Sequence, residues 1–168
     1  MLIVTSDRGL AGAYSSNVLK EADRLVEKLR DEGKDVDAFI SGRKGEAYFR
    51  FRQRPIVEAW TGFSDQPTYD VASDIGATLI SAFLNKDDSG APLAATESEP
   101  PGVDEVHVVY TRFRSMLSQE AVAVRMLPLE VVEGEEPPEP DDLLPLYEFE
   151  PSPSDVLVCK SSVFATAT

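Results

Sequence analysis

Short apolar, β-branched runs alternate along this chain with segments whose apolar residues recur at helical spacing, and that alternation constrains the fold more than any other feature. Leu2-Ile3-Val4-Thr5-Ser6 reads as a strand, followed by a glycine-punctuated turn from Asp7 to Gly12. Val18, Ala22, Leu25, Val26 and Leu29 then mark one face of a helix, with Ser15, Ser16 and Asn17 as alternative N-caps and Gly33 as its stop. Val36 to Ile40 is the next strand, and the turn Gly42-Arg43-Lys44-Gly45 leads into a short helix through Tyr48 and Phe51. Ile56 to Trp60 reads as a third strand, and Tyr69 to Leu84 as a second long helix with Val71, Ile75, Leu79, Ala82 and Phe83 inward. Glu105 to Phe113 is the strongest strand, and only seven residues separate it from Ala121 to Leu129. That gap is too short for a parallel crossover, so the last strand is expected to return antiparallel at an edge. The pattern predicts an α/β fold: a Rossmann-like, doubly wound, mostly parallel five-stranded sheet with an antiparallel edge strand.

The 168 residues fit one domain. Two segments stand apart from the alternation. Residues 86–103 are rich in Pro, Ser, Ala and acid and are expected to form a flexible surface insertion. Residues 130–153 combine prolines with carboxylates and are expected to form an extended acidic strap. Charge is uneven: residues 1–54 carry 11 basic and 9 acidic side chains, whereas residues 55–168 carry 5 and 21, for a net of −14 over the chain. So negative a surface repels phosphate backbones, which argues against nucleic acid as a partner and for a basic protein surface. No run of 18 apolar residues occurs, so direct membrane insertion is not expected, and the first residues lack the features of a signal peptide. Cys159 is the only cysteine, which suits a reducing compartment.

The inventory of chemistry-bearing groups is thin. Gly9 and Gly12 follow the first strand without the dinucleotide fingerprint spacing, and no phosphate-loop motif is present. Asp7 ahead of that turn would repel a pyrophosphate, so Asp7, Arg8, Gly9 and Gly12 read as a tight structural turn, with phosphate binding at the following helix the weaker reading. The Gly42-to-Gly45 turn is a second weak anion candidate. His107 is the only histidine and sits in an apolar strand, where a structural role outweighs that of ligand or base. Asp141 and Asp142 sit among prolines as a solvated charge run. No catalytic, metal-binding or cofactor-binding residue is assigned. A receiver-like domain fails because it needs an acidic pair after the first strand and an Asp after the third, where this chain has Asp7-Arg8 and Trp60-Thr61-Gly62.

The stretch Val4-Thr5-Ser6-Asp7-Arg8-Gly9-Leu10-Ala11-Gly12 closely resembles the opening of the α/β domain in gamma subunits of F-type ATP synthases. Ordered similarities follow at Ile40 to Gly45, Trp60-Thr61-Gly62, Tyr110 to Gln119, Leu127-Pro128-Leu129 and Tyr147 to Pro151, so that the resemblance covers about residues 2–157. It implies a non-catalytic, torque-transmitting foot of the central rotor stalk, which couples proton flow through the c-ring to ATP synthesis on other subunits. It also implies the epsilon subunit and the c-ring as partners, and contact with alpha and beta subunits only through shaft helices that this chain lacks. The implied place is the cytoplasmic face of the bacterial plasma membrane, as a peripheral part. By the same resemblance Tyr147 falls near the c-ring, and Glu148, Asp141, Asp142, Asp87 and Asp88 are the acidic interface candidates. The segment 158–168 departs from the family, lacking the periodicity of a long helix, and is expected to be an atypical tail. Two other readings compete: a nucleotide- or anion-binding enzyme domain of Rossmann type, and a regulatory module for some other protein.

Overall fold

The computed structural model describes residues 1–9, 12–96, 99–115 and 118–129. Its elements run β1 (Leu2–Val4), α1 (Tyr14–Asp31), β2 (Phe39–Ser41), α2 (Arg43–Phe51), β3 (Glu58–Trp60), α3 (Tyr69–Leu84), β4 (Val106–Ser115) and β5 (Ser118–Leu127). They build one sheet in the order β3-β2-β1-β4-β5. β1 pairs parallel with β2 and β4, β2 parallel with β3, and β4 antiparallel with β5. The doubly wound sheet and the antiparallel return thus stand as the sequence predicted.

The order reverses at β1. α1 and α2 carry the chain outward to β2 and β3, and α3 carries it back past β1 to β4. Crossovers of constant hand that change direction place their helices on opposite faces. Two cores result, and the pleat deals alternate residues to them. Ile3, Ile40 and Val109 join Val18, Leu19, Ala22 and Val26 of α1 and Phe49 of α2. Leu2, Phe39 and Val106 join Ile75, Leu79 and Ala82 of α3. Leu19 belongs to the buried stripe although the expected face omitted it, because α1 lies over β1, β4 and β5 and buries a wider arc. Leu25, expected inward, is only partly buried.

Local chemistry accounts for the boundaries. α1 begins at Tyr14 with Ala13 at the N-cap and no side-chain cap, which corrects the expected choice among Ser15, Ser16 and Asn17. The Ser16 hydroxyl donates to the Ala13 carbonyl at 3.0 Å, and the Ser15 hydroxyl accepts from the Ser6 amide at 3.2 Å. α1 ends before Gly33, whose φ of 77° is left-handed as a helix stop requires. Across the two helices on this face, Asp23 accepts from the Tyr48 hydroxyl and from Arg54, both at 2.6 Å. The β4–β5 hairpin is longer than expected, its strands separated by residues 116–117 alone. The polar alternation from Thr111 to Glu120 hid that extension from hydropathy. Segment 86–103 is tied to its base by amide donation from Leu93 to Asn85 at 3.1 Å, Gly102 to Leu93 at 2.7 Å and Val103 to Ala82 at 2.9 Å.

Gly42 is the glycine on which the exit from β2 depends. Its φ is 99°, and a Cβ there would lie 2.2 Å from the Thr5 carbonyl oxygen. Gly42→Ala is expected to cost about 2–4 kcal/mol from backbone strain and clash. Gly76→Ala, where a Cβ meets nothing within 4 Å inside α3, is expected to gain up to about 1 kcal/mol. Urea unfolding of both variants checks the pair.

Candidate functional site

The strands β1, β2 and β3 end side by side, and their exits meet around Asp7. Thr5, just past β1, is 3% exposed. Its amide donates to the Ser41 carbonyl at 2.7 Å and its hydroxyl to the same carbonyl at 2.9 Å. The Thr5 hydroxyl oxygen in turn accepts from the Gly45 amide at 2.9 Å. Gly45 has no room for a side chain, since a Cβ would approach Ile40 Cγ2 to 2.8 Å. The Ser6 carbonyl accepts from the Lys44 amide at 3.1 Å.

Asp7 completes this set. Its Oδ1 accepts from the Arg43 amide at 3.0 Å and its Oδ2 from the Ser64 amide at 2.9 Å. Its own amide donates to the Ser64 hydroxyl at 2.9 Å. Partial burial opposes ionisation of this carboxyl, but amide donation from Gly62, Ser64 and Arg43 and hydroxyl donation from Ser64 outweigh it. The group is held well below the usual carboxylate range.

The consequence lies at α2. The first amides of a helix lack intrahelical partners and form the anion-binding end of the element. In α2 the amides of Arg43, Lys44 and Gly45 go to Asp7, Ser6 and Thr5 respectively. The anion-binding end of α2 therefore holds a carboxylate and two oxygens of the chain itself. The second weak anion candidate, Gly42 to Gly45, is part of this intramolecular cluster.

The other turn residues are arranged around it. Arg8 reaches Asp65 at 2.6 Å across an exposed surface, an ion pair of small energetic weight. Gly12 has φ 53°, and a Cβ on Gly9 would come within 3.2 Å of Lys44 Nζ. Leu10 and Ala11, between them, lie outside the described residues. Sequence reasoning placed Asp7, Arg8, Gly9 and Gly12 in one structural turn but missed Thr5, Arg43 and Ser64 as its partners. The available signal was the Gly42/Gly45 spacing opposite a hydroxyl residue.

The remaining candidates are not brought to this site. Asp87 and Asp88 are exposed in segment 86–103. The Asp87 Oδ1 accepts from the Ser89 hydroxyl at 2.6 Å and from the amides of Ser89 and Ala91 at 2.8 and 2.9 Å, which makes it the organiser of a turn. Tyr147, Glu148, Asp141 and Asp142 lie outside the described residues, as do the strap 130–153 and the tail 158–168. His107 bonds Glu105 at 2.9 Å, and Glu105 also accepts from Lys34 at 2.9 Å, tying the start of β4 to the turn after α1. Among the described residues no cluster of three or more His, Cys, Asp or Glu could hold a metal ion, and no helix is long and apolar enough to cross a membrane.

A family model described as ATP synthase matches residues 1–162. The ATP synthase gamma chain of a Nocardioides species is 68% identical over 157 residues, covering 94% of this chain and 48% of the relative. That of an Arthrobacter species is 53% identical over 157 residues, with coverages of 94% and 49%. That of Streptomyces griseus is 50% identical over 158 residues, with coverages of 94% and 48%. The chain spans about half the length of the curated relatives it matches.

The Asp7 cluster sets an expectation for acid. In the unfolded chain this carboxyl ionises near pH 4, and in the fold it ionises lower, so its contribution is present above about pH 4 and is lost as pH falls below that value. Asp7→Asn is expected to cost about 1–3 kcal/mol at pH 7, and a smaller amount near pH 2. Urea denaturation at the two pH values measures the difference.

Proposed function

The chain belongs to the gamma chain family of ATP synthase, and from that membership we propose that it forms the α/β foot of the central rotor stalk. In this role it transmits torque between the c-ring and the subunits that make ATP, and it does no chemistry itself. The observation that carries the reading is the filled anion site at the head of α2. Helix N-terminal amides that are left free can hold a phosphate. Here Asp7, Thr5 and Ser6 use them to bind the ends of β1 and β2 to each other, and Asp7 adds the exit of β3 through the Ser64 amide. Such a cluster favours one rigid shape, which a force-bearing part needs.

The epsilon subunit and the c-ring are the proposed partners, with alpha and beta subunits engaged only through shaft helices. The place is peripheral, on the cytoplasmic side of a bacterial plasma membrane. Tyr147, Glu148, Asp141 and Asp142 of the acidic strap, with Asp87 and Asp88, are the proposed points of contact with basic c-ring or epsilon surfaces. The support is charge: ten acidic residues and no Lys or Arg between Glu130 and Asp155.

Two measurements test this. Calorimetric titration with ATP, NAD and phosphate is expected to show no saturable binding at micromolar concentration. Saturable binding that Gly9→Ala or Gly12→Ala abolishes would instead establish a nucleotide domain. Sedimentation with isolated c-rings is expected to show binding that weakens steeply as salt rises through the range where the screening length drops below about 10 Å. Binding indifferent to salt rules out the acidic contacts.

A further inference from the structure

We draw no further inference here: the strongest candidate, the groove between α1 and α2 lined by Leu19, Lys44, Ala47, Tyr48 and the exposed Phe51, carries nothing because no feature of the structure shows what covers it.

Discussion

A single carboxylate organises the end of the sheet from which three strands leave. Asp7 gathers amides from the loop after β2 and from the loop after β3 while sitting in the loop after β1. Parallel strands present this difficulty generally, because their exits diverge into separate helices and leave amide donors without partners. An anion placed among those donors satisfies them and draws the loops together. This chain supplies the anion covalently, so the closure needs no ligand and persists as long as the backbone holds. The Thr5 hydroxyl does the matching work two residues earlier, where Gly42 and Gly45 let the backbone of α2 approach β1 closely.

That arrangement shows which parts of the structure could be read from the sequence. The mostly parallel five-stranded sheet and its antiparallel return were legible because apolar runs and a short gap leave few topologies. The interior faces of α1 and α3 were legible from spacing, with Leu19 missed because its burial depends on α1 crossing β4 and β5. The start of α1 was misread for a different reason. Ser15 and Ser16 have the chemistry of caps, but Ser15 serves the Ser6 amide and Ser16 the Ala13 carbonyl, so neither caps the helix. Among the partners of Asp7, Ser64 was illegible because it lies 57 residues away in sequence, and no local pattern announces a contact at that range.

The acidic residues sort in a similar way. Composition treats Asp7, Asp23, Asp87 and Asp88 alike, whereas the fold separates them. Asp7 binds loops, Asp23 joins α1 to α2 through Tyr48 and Arg54, and Asp87 closes a turn. Each of these three has its carboxyl held below its ordinary range. For Asp23, burial opposes the shift, but donation from Tyr48 and Arg54 prevails. For Asp87 the leading cause is the Ser89 hydroxyl. A net charge of −14 thus overstates how many carboxylates are free to meet a partner, since part of that charge is spent on internal geometry.

Rigidity and a load path go together in this architecture. β1 is only three residues long, yet Leu2 enters the core under α3, Ile3 enters the core under α1 and α2, and the strand pairs with both β2 and β4. A force applied to either helical layer therefore reaches the other through β1. What could yield is the end of the sheet, where loops would otherwise hinge independently, and that end is where Asp7 and Thr5 bind the exits together. The same cluster that fills the head of α2 removes the hinge. A domain proposed to carry torque and a domain that takes an anion at the head of α2 place opposite demands on those amides, and here the chain's own oxygens fill them.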